Sequence, residues 1–380
     1  MGIYVHIPFC EKKCYYCDFH SVVVGDLTHF AKVTDDYLIS VRKEALYYKK
    51  QWGNKSLSTL FIGGGTPTSL PPQKLASLIR FILHEFPFAE NPEVTIEANP
   101  HTIHLNDAKI LASAGVNRVS IGAQSFQNNL LQSMGRLHRS DQIEKSVLRF
   151  KEAGIDNVNL DLMFGLPEQT INDWKDTLMS ALSLKPTHLS CYGLILEPGT
   201  PFAIWEAKGI LRFPTDDDQA EMFEIAREVL VKSGYEHYEI SNFCKPRFEA
   251  RHNLLYWMNM PFIGLGSGAT GYLNRRRYTN IAKISEYIKG WMNDCPIYER
   301  ESLISEKQEM DETMMVGMRL LQGVSEIDFM ERYGMSFFEV YPLEIEGLLN
   351  KGLVELVNGK LRVTKQGLYL ENMVSGAFLP

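Results

Sequence analysis

The chain has 380 residues, a formal net charge of −7, 45% hydrophobic and 22% charged residues. These are ordinary values for a soluble globular protein; the acidic balance argues against a general nucleic-acid binder. No apolar run reaches the ~18–20 residues of a membrane span, so any membrane contact is expected to be transient and at the surface. The length fits one large domain with an accessory one, or two to three ordinary ones. The start, "MGIYVHIPFC", lacks the pattern of a secretory signal, and the expected compartment is the cytoplasm. Thiols stay reduced there, and clustered cysteines read as metal ligands before disulfides. The triplet Arg275-Arg276-Arg277 reads as a solvated turn, and the scattered Cys191, Cys244 and Cys295 as buried free thiols.

To about residue 195, short apolar runs alternate with longer amphipathic ones. The strand-like runs are "GIYVHI", "STLFIGG", "EVTIEA", "RVSIGA", "IDNVNLDLMFG" and "THLSCYGL". Helices are expected over 35–50, 72–85, 105–114, 140–153 and 171–184, with Gly115 and Gly154 as C-terminal stops. Six such units imply parallel βα units in an α/β fold, either a doubly wound sheet or an incomplete barrel. Both gather ligands at the C-terminal ends of the strands. The three-cysteine loop, "GGGTP", Glu97, Gln124 and Asp161 should therefore face one cavity. Beyond 195 the alternation stops: a helix is expected over 216–233, then strand and loop through "EISNFCKPRFEARHNLLYW" and "FIGLGSGATGY". From about Ser305 a small helical region ends in "LVELVNGKLRV", where "NGK" predicts a hairpin. Helices followed by such a hairpin resemble a winged helix, read here as packing or docking rather than DNA binding.

The chemistry begins at "CEKKCYYC". Cys10, Cys14 and Cys17, spaced C-x3-C-x2-C, can hold three irons of a four-iron cluster and leave the fourth open. A closed zinc site with His20 or His6 as fourth ligand is the competing reading. In "GGGTPT" the glycines permit close backbone approach and N–H groups turned to a carboxylate. Taken alone, each polar residue at a strand end is better explained by a structural hydrogen bond; their recurrence at successive strand ends reverses that balance.

"YVHIPFCEKKCYYCDF", "FIGGGTPTSL", "TIEANP", "SIGAQSF", "MGRLHR" and "NLDLMFGLPEQT" resemble, in order, the motifs of radical S-adenosylmethionine (SAM) enzymes, in the branch of oxygen-independent coproporphyrinogen III oxidase. The resemblance implies a partial (β/α)6 barrel over 1–200, an extension and linker over 201–304 and a smaller α+β winged-helix-like domain over 305–380. It implies a [4Fe-4S] cluster whose open iron binds SAM, an electron donor, and cleavage of the sulfonium to a 5'-deoxyadenosyl radical. It also implies SAM contacts by Tyr4, Gly64, Gly65, Thr66, Glu97 and Arg136, and contacts to a second SAM by Tyr16, Gln124 and Asp161. Phe19 stands where the oxidase has a further cysteine, and the oxidase's N-terminal extension has no counterpart before Met1. "HNLLYW" at 252–257 fits H-N-x-x-Y-W, a signature of the HemW branch, whose members are regarded as heme chaperones rather than decarboxylases. That branch implies heme and heme-acceptor proteins as partners. His252 is then a candidate axial ligand, with Tyr256 and Trp257 against the porphyrin. A core histidine beside buried aromatics is the competing reading. The alternative functions are oxidative decarboxylation of coproporphyrinogen III and radical chemistry on another substrate.

Overall fold

The computed structural model describes residues 1–26 and 29–379. Six parallel strands run in sequence order: β1 (Gly2–Ile7), β2 (Leu57–Gly64), β3 (Phe88–Ala98), β4 (Arg118–Gln124), β5 (Asn157–Phe164) and β6 (His188–Gly193). Five helices alternate with them: α1 (Phe30–Trp52), α2 (Pro72–Glu85), α3 (Leu105–Ser113), α4 (Ser140–Glu152) and α5 (Ile171–Ser183). A doubly wound sheet reverses its strand order midway; this order never reverses, so successive crossovers add each strand on the same side and build the wall of a partial barrel.

The strands' period of two decides what each face holds. Ile3, Val5, Leu60, Ile62, Val94, Ile96, Val119, Ile121, Val158 and Leu160 join the buried faces of α1–α5 in one hydrophobic core. Residues of the opposite parity are mostly polar: Tyr4 and His6, Thr59, Glu93, Thr95 and Glu97, Arg118 and Ser120, Asn159 and Asp161, His188 and Ser190. Register aligns them in layers, Gly2–Thr59–Glu93 lowest and His6–Gly63 with Glu97–Ser120–Asn159–His188 higher. The barrel interior is thus a polar column.

After α6 (Asp216–Lys232) the chain extends the sheet at both edges. β7 (Glu236–Glu239) and β8 (Asn242–Cys244) add beyond β6. After α7 (Arg251–Trp257), β9 (Phe262–Leu265) pairs parallel with β1, and β10 (Thr270–Leu273), β11 (Arg276–Asn280) and β12 (Tyr298–Leu303) follow antiparallel. The helix α7 differs from the strand-and-loop expectation. The Glu93 carboxylate accepts from the N–H groups of Arg251 (2.9 Å) and His252 (3.0 Å), satisfying the helix start with a partner 158 residues away in sequence. The arginine triplet lies at the β10–β11 turn, where Arg275, Arg276 and Arg277 each face a glutamate. Cys191 and Cys244 are buried, whereas Cys295 is exposed, contrary to expectation.

From α8 (Glu306–Gly317) onward the chain has its own core, built from Met310, Met314, Phe329, Phe337, Leu361 and their neighbours. β13 (Val324–Ser325), β14 (Val354–Val357) and β15 (Lys360–Val363) form a small sheet in the order 13-15-14. The β14–β15 turn takes Asn358 and Gly359 at φ 52° and 73°, the left-handed pair of a two-residue hairpin. This winged-helix-like unit packs beside the barrel; Ile240 N–H bonds the Arg319 carbonyl at 3.1 Å.

One buried carboxylate ties the sheet extension to α1. Glu44 accepts from Gly266 N (2.8 Å), Asn280 Nδ2 (2.6 Å) and Tyr287 Oη (2.5 Å), and burial still pushes it up to about 8. Its folded value lies above the unfolded one. This contribution to stability is therefore complete at low pH and is lost as pH rises from about 4.5 through 8. Thermal midpoints of the cluster-free protein are expected to fall between pH 5.5 and 8.5, and less steeply in Glu44→Gln. Equal slopes in the two proteins would contradict this assignment.

Candidate cofactor site

β1 ends at Ile7 and delivers the chain into the three-cysteine loop at the barrel mouth. Cys10 lies in a two-residue strand paired parallel with Val22–Val23, and Cys17 N–H bonds the Cys14 carbonyl at 3.2 Å, which closes the loop. Opposite, β2 ends at Gly63-Gly64, with Gly65 just past it. A Cβ on Gly65 would lie 2.9 Å from the Phe9 carbonyl oxygen and 3.0 Å from Cys10 Sγ, so only glycine lets the two loops meet. Gly64 takes φ 117°, and its N–H donates to Glu97 Oε2 at 2.9 Å. The Gly65 and Thr66 N–H groups bond the Ile7 and Phe9 carbonyls. The carboxylate met by this loop is thus Glu97's own, and two of the N–H groups expected to face a ligand are spent on the cysteine loop.

A cavity of about 130 Å³ lies between these loops. The structure brings Cys10, Cys14, Cys17, Tyr16, Gly64, Gly65, Thr66, Glu97, Gln124, Arg136 and Asp161 to its wall, as the strand-end argument expects. Tyr4 does not line it; the phenol lies deeper in the barrel, bonded to His6 Nδ1 at 2.9 Å. Asn99 was missed, although it follows Glu97 by two residues in the same motif. It donates to Thr66 Oγ1 (2.9 Å) and accepts from Arg136 Nη2 (2.6 Å), joining two expected contacts. Arg136 also donates to the Gly122 carbonyl (2.6 Å) and reaches Cys14 Sγ (3.5 Å). Gln124 reaches the cavity from a left-handed backbone, φ 65°, where β4 breaks register.

The electrostatics suit a cationic ligand. Burial pushes Glu97 up to about 8, with the neighbouring Asp161 charge adding to the shift. Asp161 is also raised by burial, against hydrogen bonds from Ser120 (3.0 Å) and Asn159 (2.8 Å). A positive ligand between two such carboxylates restores their ionised forms.

The donor set fits a four-iron cluster better than zinc. Cys10, Cys14 and Cys17 are free thiols facing one cavity, and burial pushes Cys17 up to about 11, a proton that iron would displace. Among the described residues, no three His, Cys, Asp or Glu side chains are grouped to hold a single metal ion. The candidate fourth zinc ligands are engaged elsewhere: His6 by Tyr4 and the His20 carbonyl, His20 by Ser267.

His252 is at the other end of the barrel. Its Nδ1 bonds Thr59 Oγ1 at 2.7 Å, its Nε2 bonds Tyr256 Oη at 2.8 Å, and the residue is 1% exposed. The ring stacks on Phe61 at 5.2 Å between centroids. With both nitrogens bonded, the candidate axial ligand sits buried in the barrel floor, as a core histidine would. Four residues on, Tyr256 shares that inward face, as helical spacing requires. Trp257 points away, with the Arg319 guanidinium over its ring at 4.6 Å.

Residues 4–181 match the model of the radical SAM superfamily, and residues 304–370 that of the HemN C-terminal domain. The chain is 38% identical over 377 residues to the heme chaperone HemW of Bacillus subtilis (strain 168), covering 99% of this chain and 98% of the relative. It is 31% identical over 382 residues to the Escherichia coli (strain K12) protein of the same name, covering 100% and 98%. Its fold is similar to that of the E. coli coproporphyrinogen III oxidase HemN, with a TM-score of 0.85 at 22% identity, covering 99% of this chain and 89% of that one. With this similarity running end to end, the chain belongs to the radical SAM superfamily, in the family of the heme chaperone HemW.

Proposed function

We propose that the protein binds heme and delivers it to acceptor proteins, while carrying a [4Fe-4S] cluster and SAM at the barrel mouth. The observation that carries this reading is the similarity, over 99% of the chain, to proteins named heme chaperone HemW. Cys10, Cys14 and Cys17 are the ligands of three irons. Gly64, Gly65, Thr66, Glu97 and Arg136, with Tyr4 deeper in the barrel, would hold SAM, and Tyr16, Gln124 and Asp161 would contact a second SAM, the Glu97 and Asp161 carboxylates being offered to its positive charge. When bound, the cluster supplies one electron, from a separate donor protein, to the sulfonium of SAM. The similarity to HemN, at 22% identity, carries the fold and not the activity.

One measurement separates the carrier from its runner-up, the coproporphyrinogen oxidase. Reconstituted anaerobically with reductant and SAM, the protein is expected to leave coproporphyrinogen III unchanged. Decarboxylation matched by 5'-deoxyadenosine release would overturn the proposal. SAM binding tests the site itself. Glu97→Gln is expected to weaken SAM by tenfold or more, about 1.4 kcal/mol, in equilibrium dialysis. Because Glu97 holds its proton up to about 8, wild-type affinity should rise between pH 6.5 and 7.5, by up to about tenfold. The variant should show no such rise; a variant matching wild type at both pH values would remove Glu97 from the site.

A further inference from the structure

His252 closes the barrel floor with both ring nitrogens engaged, so heme needs another seat. Among the described residues, one cleft combines a volume well inside that of cofactor sites with aromatic walls and a cation. It lies where β6 leaves the barrel and meets the C-terminal unit, with a volume of about 740 Å³, inside the ~300–1,000 Å³ range of cofactor sites. Phe164, Tyr192, Phe223 and Tyr369 supply aromatic surface from four separate segments. Ile195, Leu370 and Met373 line it while 71%, 39% and 51% exposed. Large apolar side chains left in water and converging from distant parts of a chain mark a binding surface.

The polar groups are few. Arg319 is the one cationic residue in the lining. Its guanidinium is held only loosely, 3.5 Å from Glu371 and 3.8 Å from Glu239, and its Nε has no partner. Asp216 and Glu371 also line the cleft, so it offers one seat to a carboxylate and leaves a second carboxylate better placed in water. Among donors for iron, Cys191 and Tyr192 are thiol and phenol groups whose deprotonation burial opposes. Tyr369 is raised to about 12, chiefly by burial, with Glu224 adding to the shift. The Met373 thioether requires no deprotonation and is a known type of axial ligand.

We propose that this cleft binds heme, its ring between Tyr192 and Tyr369, one propionate on Arg319 and the Met373 sulfur toward the iron. The inference rests on the heme-handling reading above. It also assigns the end of "HNLLYW" a part: Trp257 lies under the Arg319 guanidinium and fixes the cation that faces the cleft.

The test is an anaerobic hemin titration of the full chain followed by absorption spectroscopy. Met373→Leu, nearly equal in volume, is expected to weaken binding at least tenfold and change the Soret band. Met373→His is expected to keep one heme per chain with a different, nitrogen-ligated spectrum. Ile195→Asp combined with Leu370→Asp, both at exposed positions, is expected to weaken binding at least tenfold at an unchanged thermal midpoint. If the wild type binds stoichiometrically and all three variants match it in affinity and spectrum, the cleft is overturned and heme handling stands. If the wild type itself shows no saturable binding, the heme-handling reading falls, and this inference with it.

Discussion

In Cys14→Ala, iron retained after anaerobic reconstitution is expected to fall from about four atoms per chain to near background, with loss of the cluster's visible absorption and its reduced-state EPR signal. Cys14 is the cleanest of the three positions to change. Cys10 is buried at 9% exposure against the Gly65 turn, so its removal also disturbs packing, whereas the Cys14 side chain is half-buried at the cavity wall. The thermal midpoint of the cluster-free protein should hardly move. Cys191→Ala, which deletes a thiol outside the loop, is expected to retain full iron. Four irons retained in Cys14→Ala would mean that the loop is not the cluster site.

His252→Ala is expected to cost about 2–4 kcal/mol of stability, the sum of a cavity in the barrel floor and two orphaned hydroxyls on Thr59 and Tyr256. Heme binding by the fraction that remains folded should persist. His252→Gln, which can still reach one of the two hydroxyls, should recover part of the stability. Denaturant unfolding and heme titration on the same samples separate the effects. A variant as stable as wild type that no longer binds heme would show that the imidazole leaves its pocket to ligate iron, contrary to the geometry found.

The cysteine loop and His252 differ in how much of their setting the sequence carries. The βα alternation was legible because each unit writes its own pattern: α2 begins and ends where the periodicity predicts, and α3, α4 and α5 end within a residue of it. The mouth was legible because parallel strands place their C-terminal ends together, so the three cysteines, Glu97, Gln124 and Asp161 had one place to meet. The floor was not. α7 exists because Glu93 caps it across 158 residues of sequence, and "RHNLLYW" alone has neither the length nor an N-terminal cap to declare a helix. Tyr4 sits apart from the cavity for a related reason: it shares its face of β1 with His6, but lies two residues deeper, below the level of Glu97. The cleft beside β6 was illegible altogether, since its walls come from residues 192–195, 319 and 369–373, which no local pattern relates.

Heme transfer decides whether this barrel serves a heme carrier: reconstituted protein loaded with one heme is mixed with an apo-heme protein, and the acceptor's absorption spectrum is followed with and without SAM and reductant. Saturable loading at one heme per chain is expected, with movement of that heme to the acceptor faster than from free hemin at equal concentration. Heme that never loads stoichiometrically, or that reaches the acceptor no faster than free hemin does, would contradict the carrier role.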